Sequence, residues 1–250
     1  MTRPFSTRQL PFFLTAPSRC PYLPDRLERK VFTKIDLMDG PGLNDTLTHA
    51  GFRRSQSILY RPACEQCSAC KSARIPVNAF SPSRNQRRIL RRNSDLLRLP
   101  KPADATPEQY ALLSRYLETR HGDGDMAGMD FFDFSSMIED GAQCTELVEY
   151  RDARGVLAAA VLIDRLNDGY SLVYSFFEPG RERDSLGAFI ILDHVERARE
   201  AGLPYLYLGY WVQGSPKMEY KARYKPLEIL EPEGWRRLDA APSKTPYAAE

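Results

Sequence analysis

The chain has 250 residues, 42% of them hydrophobic and 27% charged, with a net charge of +2. These values describe an ordinary globular chain, long enough for one large domain or two small ones. No run approaches the roughly 20 apolar residues of a membrane span, and the opening Met1-Thr2-Arg3-Pro4-Phe5 lacks the apolar stretch of a signal peptide. Membrane, secreted and fibrous readings are therefore set aside, and a cytoplasmic location is expected. The net charge hides a segregation. Residues 1–100 carry 18 Lys and Arg against 7 Asp and Glu, or +11; the other 150 carry 17 against 26, or −9. A basic front of this kind either attracts a polyanion or is neutralised by the acidic back across an interface. The chain accordingly divides into a basic, Cys-containing N-terminal domain, 1–100, and a second domain, 101–250.

Residues 1–35 are irregular and proline-rich. Leu43–Ala50 predicts a short helix, capped by Asn44 or Asp45 and stopped by Gly51. Phe52–Arg61 alternates up to Pro62 and reads as a strand, and Ser72–Phe80 as a second. Ser81-Pro82-Ser83 opens a helix over about Arg84–Leu97, with Pro82 in its first turn. Lys101–Ala105 reads as a linker. Thr106 caps a further helix with an apolar stripe of Tyr110, Leu113, Tyr116 and Leu117. Strands follow at Thr145–Tyr150, Val156–Leu166 and Tyr170–Phe177, the last two joined by an Asp168-Gly169 hairpin signal. Ser185 caps a helix from Leu186 to Glu200, and Pro204–Val212 is the next strand. Ser215-Pro216 starts a helix to about Tyr224, Leu227–Leu230 is a strand, and the tail after Leu238 reads as frayed.

The order, a helix and then β-β-β-α-β-α-β, predicts an α+β fold: a mixed sheet flanked by helices, as in the GCN5-type N-acetyltransferases. The step from strand 170–177 through helix 186–200 to strand 204–212 is expected to be a right-handed parallel crossover. In acetyl-CoA-dependent members of that fold the helix opens on a pattern like [RQ]-x-x-G-x-[GA], whose N–H groups hold the pyrophosphate. The matching stretch here is Arg183-Asp184-Ser185-Leu186-Gly187-Ala188. Leu186 replaces the first glycine, and Asp184 puts a negative charge where an anion would sit. That departure favours another acyl carrier over CoA.

Five cysteines without a signal peptide argue against a disulfide framework. Cys64, Cys67 and Cys70, completed by Cys20 or Cys144, could make a tetrahedral zinc or an iron–sulfur site; the alternative is a set of small buried residues. Neither His49, His121 nor His194 has a partner at ligand spacing, and His194, in mid-helix, reads as a packing residue.

Several pieces resemble a known family as an ordered set. They are Cys20-Pro21-Tyr22-Leu23-Pro24; Tyr60-Arg61-Pro62-Ala63-Cys64 with Cys67 and Cys70; Arg74-Ile75-Pro76-Val77; Ser83 with Gln86-Arg87-Arg88; and Leu208-Gly209-Tyr210-Trp211-Val212, followed by Lys217-Met218-Glu219-Tyr220-Lys221. Together they resemble the aminoacyl-tRNA–protein transferases of the arginyl/leucyl type, over about residues 10–236, and most of all the short bacterial branch that donates leucine. The resemblance implies transfer of an amino acid from charged tRNA to the N-terminal amine of a protein beginning with Asp or Glu, which marks it for degradation. It implies no cofactor for the transfer itself. The single cysteine near the N-terminus, where the eukaryotic branch has two, favours leucyl-tRNA over arginyl-tRNA as donor. The rivals are arginine transfer, an acetyl-CoA N-acetyltransferase, and a non-catalytic nucleic-acid-binding protein.

The residues fit such a reaction. Arg84, Arg87, Arg88, Arg91 and Arg92 are candidate tRNA phosphate contacts, with an ordinary solvated helix face as the alternative. In this fold strands 170–177 and 204–212 are expected to splay and leave a slot. Tyr174, Tyr210, Gln213 and Tyr220 flank it as candidate catalytic residues. Arg74, Lys217, Lys221 and Arg223 are candidate partners of an acidic acceptor, with Lys217 and Lys221 one helical turn apart.

Overall fold

In the computed structural model the described residues are 10–35, 40–120, 126, 128–141 and 144–238. The N-terminal part carries β1 (Phe13–Leu14), β2 (Ser18–Arg19), β3 (Leu27–Glu28), β4 (Lys30–Lys34), α1 (Gly40–His49), β5 (Arg53–Ser55) and β6 (Ile58–Pro62). The four strands β1-β4-β6-β5 form a small antiparallel sheet, and β2 pairs with β3 in a separate hairpin. Leu47, Phe52 and Leu59 make a small core beneath α1. The single strand expected over Phe52–Arg61 is a hairpin instead. Gln56 takes φ +51° and turns the chain, and Arg54 Nη1 donates to the Gln56 carbonyl at 3.0 Å.

The larger sheet has eight strands: β7 (Cys70–Pro76), β8 (Leu97–Pro102), β9 (Thr145–Arg151), β10 (Leu157–Arg165), β11 (Gly169–Phe177), β12 (Tyr205–Val212), β13 (Glu228–Glu231) and β14 (Gly234–Arg237). Their spatial order is β14-β13-β7-β12-β11-β10-β9-β8. Only β11 and β12 run parallel; the connection between them is the expected crossover through a helix. This is the mixed sheet with flanking helices that the element order predicts. β7, from the basic front, lies between β12 and β13, so the sheet runs across the division drawn at residue 100.

Four helices cover the two faces: α2 (Arg84–Arg92) and α5 (Leu186–Glu200) on one, α3 (Pro107–Arg120) and α4 (Phe131–Glu139) on the other. Strand β10 reads out the alternation. Ala159, Val161 and Ile163 enter the α5 core, while Leu157, Ala160 and Leu162 enter the α3–α4 core. Because both faces are covered, the run is apolar throughout, as a central strand requires. Gly169 is needed for a different reason than a turn conformation. A Cβ there would stand 2.3 Å from the Tyr205 carbonyl oxygen, so only glycine lets β12 approach.

Several boundaries differ from expectation for local reasons. α2 stops at Arg92 because the buried Asn93 side chain donates back to the Ile89 carbonyl at 3.0 Å and across to the Asp184 carbonyl at 2.9 Å. The residues after it, read partly as a linker from their prolines, form β8 at the sheet edge, where proline is tolerated. Thr106 and Gln109 close the expected cap on α3. α4 was not anticipated; Asp130 and Asp133 form its capping box. Ser185 does not cap α5 through its side chain but takes a left-handed conformation, φ 55°. The expected helix 215–224 is only a 3-10 turn over Glu219–Arg223. His121 and the tail after Leu238 lie outside the described residues.

Candidate active site

Strands β11 and β12 pair over just three positions, Gly169–Ser171 with Tyr205–Tyr207. Beyond them β12 takes a bulge at Gly209, φ +81°, and the strands part. The gap opens into a cleft of about 1220 Å³. Leu172–Ser175 of β11 and Leu208 of β12 line its root, and the start of α5 and residues Lys217–Tyr224 form further walls. Gln86 and Ile89 of α2 and Tyr116 and Arg120 of α3 close it from two sides. The lining mixes apolar and hydrogen-bonding groups, as a ligand-binding cleft does.

Helix α2 is built for this position. Ser83 and Gln86 make a capping box, with the Ser83 N–H donating to Gln86 Oε1 at 2.7 Å. The same Gln86 donates to the Arg223 carbonyl at 3.3 Å, tying the helix to the opposite wall. At 3.6 residues per turn the five arginines fall within an arc of about 140°, and all five are exposed. Among the described residues none of them is in a salt bridge. Arg87 donates to the Pro82 carbonyl and Arg92 to the Arg183 carbonyl. Elsewhere the basic front does neutralise the acidic back, through Arg54–Asp164, Lys71–Glu231, Arg74–Glu228 and Arg98–Asp193. The neutralising reading thus holds for these four pairs, while the α2 arginines stay outside such pairs among the described residues.

Of the residues singled out in the sequence, Tyr174, Lys217, Tyr220, Lys221 and Arg223 line the cleft. Burial raises the pKa of both phenols, with the Tyr116 ring beside them adding to it, so they remain neutral donors. Lys217 and Lys221 do not share a face. Lys217 is exposed, whereas Lys221 is buried, donating to the Tyr210 carbonyl at 2.5 Å. Three residues stand elsewhere. The Tyr210 hydroxyl donates to the carbonyls of Gly51 (2.9 Å) and Tyr60 (3.1 Å), docking the N-terminal part onto β12. Gln213 is exposed past the end of β12 and outside the cleft lining. Arg74 is clamped by Glu228 at 2.8 Å and stacked between Tyr205 and Trp235, so its charge is spent on the sheet. Sequence reasoning missed Arg53, whose buried guanidinium donates to the Leu172 carbonyl at 2.8 Å, where the strands begin to part. Its one signal was a second arginine beside Arg54 in a short strand.

The start of α5 does not suit a CoA pyrophosphate. Asp184 is held by Arg181 at 2.6 Å, and Leu186 is buried where the pattern calls for glycine.

The four cysteines Cys20, Cys64, Cys67 and Cys70 are free thiols gathered around Cys70. Burial, and then the proximity of the other three, pushes the Cys70 thiol up to about 12. The donor chemistry suits zinc or iron. The sulfurs do not close a shell, however, since among the described residues the one group with ligand atoms within 4.8 Å of one another is Asp45, His49 and Asp168. Cys144 lies apart, 3.5 Å from Asn44 Nδ2. His49 does have partners that spacing could not reveal: Asp168 Oδ2 at 2.8 Å and the Asp45 carbonyl at 2.7 Å, contacts that raise its pKa.

Residues 18–88 match the family description "Arginine-tRNA-protein transferase, N terminus", and residues 108–231 match "Arginine-tRNA-protein transferase, C terminus". The chain is 61% identical over 236 residues to an aspartate/glutamate leucyltransferase of Maricaulis maris, covering 94% of this chain and 93% of that one. The chain belongs to the arginine-tRNA-protein transferase family. A second relative with the same name, from Parvibaculum lavamentivorans, is 56% identical over 242 residues, covering 96% of this chain and all of its own. Among solved structures, FemX is similar with a TM-score of 0.46 and 10% identity, over 75% of this chain and 64% of that one. Within the transferase family the cleft described above becomes the candidate place where the two substrates meet.

Proposed function

We propose that this enzyme transfers leucine from leucyl-tRNA to the α-amine of proteins whose first residue is Asp or Glu, tagging them for degradation in the cytoplasm. The observation that carries the reading is the cleft between β11 and β12, walled by α2, whose five arginines are exposed and, among the described residues, in no salt bridge. An RNA held on Arg84, Arg87, Arg88, Arg91 and Arg92 has its esterified end beside Gln86 and Ile89. Ile89, Leu172, Ile190 and Leu208 offer apolar surface for a leucyl side chain. Lys217, Lys221 and Arg223 supply positive charge for an acidic acceptor.

The reaction asks little acid–base work of the protein. An α-amine has a pKa near 8, so an appreciable fraction is already neutral at pH 7. The amine nitrogen attacks the leucyl carbonyl; an amide bond forms, the ester C–O bond breaks, and the tRNA hydroxyl leaves with the proton. Alignment and stabilisation of the oxyanion supply the catalysis. The neutral phenols of Tyr174 and Tyr220 are the donors within the cleft for that oxygen. No step draws on a cofactor, and none passes through the cysteine group. No helix among the described residues is long and apolar enough to cross a membrane.

The test is transfer of labelled leucine or arginine from charged tRNA to peptides beginning with Asp, Glu or Ala. Leucine appearing on the Asp and Glu peptides alone is expected. Label on no peptide would overturn the reading, and label from arginine alone would overturn the donor. Protection from unfolding by CoA without tRNA binding would favour acetyl transfer instead.

A further inference from the structure

Five Lys and Arg side chains are buried among the described residues: Arg53, Arg54, Arg74, Arg197 and Lys221. Three of them meet a carboxylate. Arg54 meets Asp164 at 2.7 Å, Arg74 meets Glu228 at 2.8 Å, and Arg197 meets Glu146 at 2.6 Å. Arg53 and Lys221 meet none among the described residues, and they stand side by side. A Cβ on Gly209 would lie 3.6 Å from Nε and Nη2 of Arg53 and 3.7 Å from Nζ of Lys221. Both cations thus face one point on the bulge of β12, where it parts from β11.

Their remaining contacts leave donors to spare. Arg53 gives Nη2 to the Leu172 carbonyl, while Nη1 is buried with no partner. Lys221 gives Nζ to the Tyr210 carbonyl and to Met218 Sδ at 3.3 Å, and lines the cleft. Two buried cations with no counter-charge are costly, because desolvation is not repaid by any pairing. Burial lowers the pKa of both, Lys221 to about 7, where Arg53 adds to the depression and Cys70 opposes it. Asp164, the carboxylate whose charge acts on Arg53, is already engaged by Arg54 through Nε and Nη2, both at 2.7 Å. Among the described residues the protein has therefore assembled the positive half of an ion pair, Lys221 in the cleft lining and Arg53 behind it on the Leu172 carbonyl, with no carboxylate of its own to complete it.

We propose that Arg53 and Lys221 form a carboxylate site that reads the acidic side chain of the acceptor's first residue. The identity of the ligand rests on the function proposed above; the site rests on the missing counter-charge. A carboxylate takes the spare guanidinium N–H bonds and the ammonium together, and charge-assisted bonds of this kind are the strong ones. A neutral amide of the same shape would leave the two cations buried and unneutralised. Sites built around a required polar group discriminate sharply for that reason. The same logic excludes Ala.

The test compares wild type with R53Q, R53K and K221M, using leucyl-tRNA and peptides that begin with Asp or Asn. Wild type is expected to prefer the Asp peptide in kcat/KM by about 10³-fold or more. R53Q and K221M are each expected to cut that ratio by about 10²-fold or more, R53K by less, with the Kd for leucyl-tRNA unmoved. An unchanged Asp-to-Asn ratio in R53Q and K221M, with wild-type thermal unfolding, would overturn the proposal. If R53Q does not fold, K221M and R53K decide it by the same ratio. If wild type labels no peptide, the functional reading fails separately, and calorimetric titration with the Asp and Asn peptides then tests the site. Binding of the Asp peptide alone, lost in K221M, supports it; no binding, or equal binding of both peptides, refutes it.

Discussion

Replacing Arg84, Arg88 and Arg91 together with Gln removes three charges from the α2 face while leaving its structure alone. These three are exposed and their side chains make no hydrogen bond or salt bridge to the rest of the described protein, unlike Arg87 and Arg92, which are partly committed. Gln is close to Arg in helix propensity, so the thermal midpoint should hold. Each phosphate contact contributes about 0.7–0.9 to the slope of log Kd against log salt. If all five arginines contact the tRNA, raising salt from about 50 to 200 mM weakens wild-type binding about 100- to 500-fold through this helix alone, and the triple variant about 7- to 12-fold. The slope itself should fall by about 2 to 2.7. Filter binding or fluorescence anisotropy with leucyl-tRNA over that salt range measures it. A slope equal to that of wild type would mean that the arginine face is solvated surface, and the path from α2 to the cleft would have to be abandoned.

Two further outcomes concern the frame around the site. His194 is fully buried, with Nδ1 donating to the Ile190 carbonyl at 3.0 Å and Nε2 unpartnered; burial first, and then Arg197 and Arg98, hold its pKa down to about 3. The unfolded chain, with a histidine pKa near 6.5, binds this proton more readily, so stability is complete above that pH and declines as pH falls toward 3. The decline is about 2 kcal/mol between pH 7 and pH 5. Urea titrations should show it in wild type and not in H194F, and equal pH dependence in the two would refute the assignment. Asp164 accepts from Arg54, Thr145 (2.8 Å) and Asn44 (3.0 Å), all in the seam between the two sheets. Asp164→Ala leaves a guanidinium buried and unpaired and should cost about 3–5 kcal/mol; a loss below about 1 kcal/mol would indicate that water reaches the seam.

The alternating and periodic segments were legible because their neighbours impose the same period on them. β9 to β12 and α5 came out within a residue or two of expectation, and the parting of β11 from β12 was expected from the likeness of the fold to the GCN5-type acetyltransferases. What failed was set by contacts remote in sequence. Asn93 ends α2 by reaching Asp184, and the prolines of β8 are harmless only because that strand lies at an edge. Tyr210 and Arg74 were plausible cleft residues until their partners, Gly51 and Glu228, became visible. Arg53 could not be distinguished from Arg54 in the sequence. One has Asp164 and the other does not, and that difference is made more than 100 residues away.

The position of β7 has a consequence for how this family can be cut and recombined. The two matched segments suggest a modular protein, yet a fragment starting near residue 108 would lack the strand that sits between β12 and β13. It would display the whole length of β12, from Tyr205 to Val212, as a bare hydrogen-bonding rim, and such rims recruit other chains and precipitate. A chimera that swaps the back of one relative onto the front of another must therefore match Cys70–Pro76 to its new neighbours, because that short segment is the keystone of a sheet otherwise encoded far downstream.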